Sequence, residues 1–360
     1  MNNFKVPAIF SKEYIDELVT LNNKYKDSQV IETYGCLPYG TISSSRVGAQ
    51  LPNATIDILK EYISYSLEKE IDFNYIMNTT CHGNESHENL NKLFHEEIKL
   101  LLEVGVKNIT ASTPYLIQFL HNNYPEINII ASINMCVSSV AQVLQLQNMG
   151  VGKVVLDRNI NRNYKLLKDI KRICDADLEL LVNSLCLPFC IMHQYHNNLN
   201  SHYQSGTDEK LIKVYPYSEC ISSYVENPIL MICSGWIRPE DLKEYTALGI
   251  NKFKIDGRGI PQKTILEVIE PYMKNEWKGN LFDLMFSGRA SRRSISAYLD
   301  NENLENFLLT LFKNKIDCRS CGGKNKKCMD IAKQITFDEE KRTEYIKENK
   351  KDSKILFKEV

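Results

Sequence analysis

Nothing in the chain approaches the roughly 18 consecutive apolar residues that span a bilayer, so no membrane partner is expected. Net charge is almost absent too. The 44 Lys and Arg residues oppose 45 Asp and Glu, leaving −1 and no long-range attraction for nucleic acid or anionic lipid; such a partner has to be met by a local patch. The opening segment, Met1-Asn-Asn-Phe-Lys-Val-Pro7, has no apolar signal-peptide core, so a cytoplasmic chain is expected. Several signatures are also missing. No Gly-x-Ser-x-Gly elbow occurs, and His95-Glu-Glu-Ile-Lys99 breaks the His-Glu-x-x-His of a zinc peptidase. Gly150-Val-Gly152 lacks the third glycine of a dinucleotide fingerprint and leads into a predicted strand, which disfavours an open doubly wound sheet.

What the chain does have is length and a strand-helix rhythm. Its 360 residues, 43% hydrophobic, suffice for two domains or one large α/β unit with a full core. Apolar runs predict eight strands, at Val30–Tyr34, Phe73–Thr79, Lys107–Ser112, Ile127–Asn134, Lys153–Arg158, Asp177–Ser184, Ile229–Ser234 and Asn251–Arg258. Amphipathic helices are predicted at Thr55–Glu68, Glu88–Glu103, Pro114–Asn122, Ser138–Met149, Asn163–Ile173, Pro239–Leu248 and Thr264–Tyr272. Start signals such as Thr113-Pro114 and Arg238-Pro239-Glu240 support them. Eight such units within residues 1–275 match a (β/α)8 TIM-barrel-like fold, whose usual size is about 250 residues. Residues 276–335 then read as a small helical, cysteine-containing extension, and 336–360 as a charged helical tail. One connection, 185–228, is far longer than the rest and carries Cys186, Cys190, Cys220, His193, His196 and His202, which points to function.

Cysteine is the residue in excess. There are 11, an odd number, which argues for thiols or metal ligands over a disulfide framework. Cys36, Cys81, Cys136, Cys186 and Cys233 fall at or just beyond the C-terminal end of a predicted strand, the rim where barrels build active sites. Free cysteine also packs well in cores, so that reading stays open for Cys36, Cys136 and Cys233. Cys186-Leu-Pro-Phe-Cys190 is more pointed: a four-residue step broken by Pro188 lets two thiolates meet one metal centre, with Cys220 able to return from the far side of the loop. Such a set suits an iron–sulfur cluster or zinc, and a zinc staple for the loop is the plainer alternative. His193 extends the string to Cys-x3-Cys-x2-His, one residue away from the radical S-adenosylmethionine motif. That motif normally follows a barrel's first strand, which this one does not. Cys318-x2-Cys321-x6-Cys328, enclosing Gly322-Gly323, is a second metal-type spacing whose fourth ligand is unnamed.

The stretch Leu178-Glu-Leu-Leu-Val-Asn-Ser-Leu-Cys186-Leu-Pro-Phe-Cys190, continuing through His193 to His202, resembles the cysteine region of the U32 peptidase family, the collagenase-like proteases. Four further stretches agree: Tyr34-Gly35-Cys36-Leu37-Pro38 with Arg46 and Leu51-Pro52; Asn78-Thr-Thr-Cys81; Trp236-Ile-Arg-Pro-Glu-Asp-Leu; and Phe253-Lys-Ile-Asp-Gly-Arg258. The likeness covers about residues 28 to 285. It implies a barrel-like α/β fold, a cysteine-ligated 4Fe-4S cluster and, as in some relatives, oxygen-independent hydroxylation of a ubiquinone precursor or RNA base. By position, Cys186, Cys190 and Cys220 would be ligands, with Cys81 and Cys233 both candidates for the fourth. Arg46, Asp157 and Arg258 would take catalytic parts, and Asn78, His193, His202 and Trp236 would contact substrate. The ligand spacing here is tighter than in those relatives, which leaves the substrate open.

Three functions follow as expectations. The first is a 4Fe-4S enzyme, with Zn2+ as the alternative metal, that modifies a small molecule, an RNA base or a peptide; Arg46 and Arg258 could grip a carboxylate or phosphate. The second is a peptidase using an activated cysteine. The third is a metal-bearing accessory protein that meets a partner or a second copy through loop 185–228. Local basic stretches at Arg289–Arg293 and Lys324–Lys327 could serve an RNA substrate.

Overall fold

The computed structural model describes residues 1–38, 40, 44–46, 51–202, 215–285 and 295–356. The basic stretch Arg289–Arg293 and residues 203–214 of the long connection lie outside the described residues. Eight parallel strands close into a barrel in chain order: β1 Asn2–Pro7, β2 Ser28–Gly35, β3 Asp72–Met77, β4 Asn108–Ala111, β5 Asn128–Ala131, β6 Lys153–Val155, β7 Asp177–Leu181 and β8 Lys252–Lys254. β8 pairs with β1, Phe253 standing opposite Phe4, and so shuts the cylinder. Helices follow the strands on the outside, and their starts are chemically marked: Thr55, Ser86, Ser139 and Asn163 each accept a backbone N–H with the side chain, while Pro114 opens its helix. This is the (β/α)8 barrel that the strand-helix rhythm predicts. Among the described residues no helix is long and apolar enough to cross a membrane.

Two strand assignments need correction, and the errors offset each other. β1, at Asn2–Pro7, was not foreseen, because Lys5 interrupts its apolar pattern. Ile229–Ser234, whose apolar run predicts a strand, forms instead the helix Ile229–Cys233, with Met231 and Ile232 wholly buried. A short run that is apolar at every position carries no periodicity that separates helix from strand. The seventh strand therefore precedes Cys186, and the β7–β8 connection runs from residue 182 to 251.

Lys5 lies inside the barrel, where branched apolar side chains usually stack. Its ammonium stands 2.7 Å from Glu179 on β7 and 3.1 Å from Glu32 on β2. Lys153 on β6 reaches Glu32 at 3.4 Å, and Lys254 on β8 lies 4.0 Å from Glu179. Asn74 donates to Glu32 and accepts from Thr110, which carries the polar layer across to β4. Burial opposes charge on Lys5, but Glu179 and Glu32 outweigh it and hold the amine above its ordinary range. Burial also works against the Glu179 carboxylate, yet Lys5, Lys254 and Lys153 keep its pKa low. Lys254 is the weakly compensated member: burial pushes it down to about 8.

The C-terminal extension packs on the β7–β8 connection. Trp236 stacks on Phe307 with ring centroids 5.9 Å apart, and Arg238 holds Asp241 at 2.9 Å while donating to the carbonyl of Asn301. The tail forms the helix Glu339–Leu356. One face of it does more than meet water, since Arg342 donates to the Val225 carbonyl at 2.7 Å on the helix Tyr215–Glu226.

Replacing Lys5 with Met leaves two buried carboxylates short of their main partner. The expected loss is about 3–5 kcal/mol of unfolding free energy in urea titration, toward the low end because Lys153 and Lys254 remain. Replacing Lys5, Glu32 and Glu179 together with apolar residues of similar volume is expected to cost less than the single change.

Candidate functional site

The C-terminal ends of the strands gather most of the foreseen residues at one rim. The short helix His193–Ser201 crosses this rim. At its far end Ser201 accepts from the Thr80 backbone N–H at 3.0 Å, Asn198 accepts from the Thr80 hydroxyl at 2.7 Å, and Ser201 and Ser45 hydroxyls meet at 3.3 Å. Asn78, buried after β3, is built into the same corner: its carboxamide oxygen accepts from Ser45 N–H at 3.1 Å and its amide donates to Ser132 at 3.3 Å. His202, at the helix end, faces Gly83 in the loop that carries Cys81 and His82. Burial keeps the His82 imidazole below its ordinary pKa, and its Nε2 lies 2.8 Å from the Thr113 hydroxyl.

At the near end of that helix lies a cationic hub. Arg158, 8% exposed after β6, donates from Nη1 to Cys186 Sγ at 2.9 Å and to the Ser184 hydroxyl at 3.3 Å. Its Nη2 lies 3.3 and 3.2 Å from the two ring nitrogens of His193, and the amide of Asn197 lies 3.2 Å from His193 Nε2. Cys190 sits within electrostatic reach of both Arg158 and Cys186, and its carbonyl accepts the backbone N–H of His193 at 3.2 Å at the start of the helix. Burial nevertheless leaves its thiol above the ordinary pKa. The turn between the two cysteines places Phe189 in the left-handed region at φ 50, with its N–H given to Asn159 at 2.9 Å.

Asp157 is committed to structure, its carboxylate accepting from the Asn159 backbone at 3.0 Å and from the Asn159 amide at 3.1 Å. Cys220 lies one helical turn before Tyr224, whose hydroxyl donates to the Leu185 carbonyl at 3.2 Å, so the same face of its helix looks toward Cys186. Cys136, set aside by the sequence as packing or ligand, belongs to this neighbourhood. It stands at φ 52 after β5, accepts from Gln194 at 3.7 Å, and is pushed up to about 11 by burial and then by Asp157.

The third part of the rim lies between β8 and β2. Arg258 is 8% exposed and donates to Cys36 Sγ at 3.6 Å; burial and then Arg46 lower its pKa. Arg46, more open, donates to Asp256 at 3.2 Å and to the Arg258 carbonyl at 3.3 Å. The rim thus joins two arginines on one side to thiols on the other. Two foreseen residues stand apart from it. Trp236 is 2% exposed, gives its indole N–H to the Met231 carbonyl at 2.8 Å and has the Arg162 guanidinium 4.3 Å above its ring. Cys233 faces the C-terminal extension, its helix packed along the one that carries Cys328.

Arg158 is the residue whose part at the site the sequence conceals. Its position after a barrel strand was a signal; its contact with Cys186, brought in from the next strand, was not. Gly235 makes that position attainable, since a Cβ there would lie 2.2 Å from the Arg158 carbonyl oxygen. N–H groups directed at sulfur are what iron-bound thiolates accept, so the guanidinium on Cys186, with Cys190 four residues on, fits a cluster. Among the described residues, no three His, Cys, Asp or Glu side chains already stand in metal-holding order.

Arg158→Gln removes a charge-assisted contact worth about 1.5–3 kcal/mol, so iodoacetamide should label Cys186 of reduced, metal-free protein about tenfold more slowly or less. Gly235→Ala should give the same slowing and cost about 1–3 kcal/mol of stability through overpacking. Peptide mass spectrometry reads both, and an unchanged Cys186 rate in both variants would contradict the contact.

The chain matches the model of peptidase family U32 over residues 43–278. It is 31% identical over 296 residues to the uncharacterized protease MJ1657 of Methanocaldococcus jannaschii, a match spanning 81% of this chain and 85% of that one. A shorter likeness, 27% over 111 residues, links it to tRNA hydroxylation protein P of Escherichia coli; it spans 29% of this chain and 24% of that protein. Among solved structures, the U32 peptidase Mk0906 superposes with a TM-score of 0.51 at 16% identity, covering 71% of this chain and 92% of that one, which supports the barrel alone. With the family model spanning most of the barrel and a relative alike over four-fifths of the chain, this chain belongs to peptidase family U32.

Proposed function

We propose that this chain is a 4Fe-4S enzyme that modifies a small molecule, an RNA base or a peptide, most simply by hydroxylation without molecular oxygen. The observation that carries the reading is the pair Cys186 and Cys190 on one turn, with the Arg158 guanidinium donating to the Cys186 sulfur at 2.9 Å and lying within electrostatic reach of Cys190. Cys186 and Cys190 would hold the cluster, with Cys220 and Cys136 as candidates to complete it. When bound, such a cluster supplies single-electron transfer or Lewis-acid binding of a substrate oxygen. The chain's own residues do the rest. Arg158 offsets thiolate charge, Arg46 offers a half-open guanidinium to a carboxylate or phosphate, and the helix His193–Ser201 screens the rim from water. The likeness to a protein named for tRNA hydroxylation supports the reaction class, although it covers 29% of this chain.

A cysteine peptidase is the weaker reading. A Cys/His nucleophile needs a base that becomes imidazolium, and both His193 nitrogens face a permanent guanidinium within 3.3 Å. Cys190 and Cys136 are both pushed away from the thiolate, the opposite of activation.

The test compares RNA nucleosides, small metabolites and peptides from cells grown without oxygen, with and without this chain, by mass spectrometry. The expected result is a species one oxygen heavier that disappears in Cys186→Ala and falls at least tenfold in Arg46→Ala. Peptide hydrolysis by purified protein that survives iron chelation and vanishes with one cysteine would overturn the proposal.

A further inference from the structure

The spacing Cys318-x2-Cys321-x6-Cys328 leaves a fourth ligand unnamed, and the fold supplies one from elsewhere in the chain. Cys233 ends the helix Ile229–Cys233, which packs along the helix Lys326–Ala332. The packing of those two helices brings Cys233 beside Cys328, and Cys318 and Cys321 lie within electrostatic reach of the pair. Cys318 and Cys321 occupy one helical turn, closed by Gly322 and Gly323 at φ 54 and 77. That left-handed exit is open to glycine at little cost and lets the chain fold back tightly after a Cys-x2-Cys pair. A Cβ on Gly323 would stand 3.9 Å from Cys233 Sγ, so the turn itself comes close to the fourth thiol. Arg162, anchored on the Ile232 carbonyl, supplies positive charge beside Cys233, Cys318 and Cys328.

We propose that Cys233, Cys318, Cys321 and Cys328 form a second metal centre, separate from the rim, that holds one zinc ion as a closed tetrathiolate. Four thiols without a carboxylate or imidazole suit tetrahedral zinc, and full protein ligation marks a structural site. Binding forms four Zn–S bonds and releases the thiol protons to solvent; no electron moves. All four cysteines are free of disulfides, so each has a sulfur to give to the metal. The centre pins the C-terminal extension to the segment that leads into Gly235 and Arg158.

The test is metal analysis of full-length protein purified anaerobically. About one zinc per chain is expected, retained in Cys186→Ala and lost in Cys328→Ser and in Cys318→Ser. Metal-free protein titrated with Co2+ should develop thiolate charge-transfer and tetrahedral d–d bands, saturating at one equivalent and absent in Cys233→Ser. Circular dichroism of each variant distinguishes loss of the site from loss of the fold, and the Co2+ titration of the parent protein stands apart from either. Absence of zinc together with no Co2+ bands, iron lost in place of zinc from Cys328→Ser, or a Cys233–Cys328 disulfide in the anaerobic protein would each overturn the assignment.

Discussion

Lys5 bridging Glu32 and Glu179 is the interaction on which the barrel's interior is built. It ties β1 to its neighbour β2 and, past β8, to β7, and a cost of several kcal/mol attaches to leaving either carboxylate alone. The rim hangs from the same strands. Four residues beyond Glu32 comes Cys36, four beyond Lys254 comes Arg258, and the chain leaving Glu179 on β7 reaches Cys186. A slip of one residue in any of these strands would turn the charged side chain outward and the rim residue with it, so the ion network and the site share one register.

A second constraint works between the two thiol groups. The segment 229–236 lies between them. Its helix presents Cys233 to Cys328, while Ser234 donates to the Cys186 carbonyl at 2.8 Å and Gly235 lies against the Arg158 backbone. The residues that fasten the extension are thus continuous with those that seat the arginine beside Cys186. This explains why a long connection between β7 and β8 can still position side chains at the rim: it is braced from below by the barrel and from outside by the extension.

Much of this was legible in the chain. The barrel followed from the period of apolar runs, and capped helices such as those after Thr55 and Ser86 fell close to their observed starts. Lys5 hid the first strand because a lysine signals solvent unless its counter-charges, 27 and 174 positions away, are known to meet it. Ile229–Cys233 hid as a strand because five successive apolar residues show no period, whichever of them are buried. At the site, Cys186 and Cys190 announced themselves by spacing. The partnership of Arg158 with Cys186, and of Cys233 with Cys328, could not be read, since each joins residues from separate elements. The family resemblance places Trp236 in the pocket, whereas its indole N–H is given to the Met231 carbonyl at 2.8 Å.

The central claim is that Cys186 and Cys190 hold an iron–sulfur cluster at the barrel rim. Its most direct test is the iron and acid-labile sulfide content of full-length protein purified without oxygen. About four irons and four sulfides per chain, with a broad visible absorbance lost in Cys186→Ala and Cys190→Ala, is the result this account predicts. Colourless protein holding zinc but no iron, or iron unchanged in both variants, would contradict it.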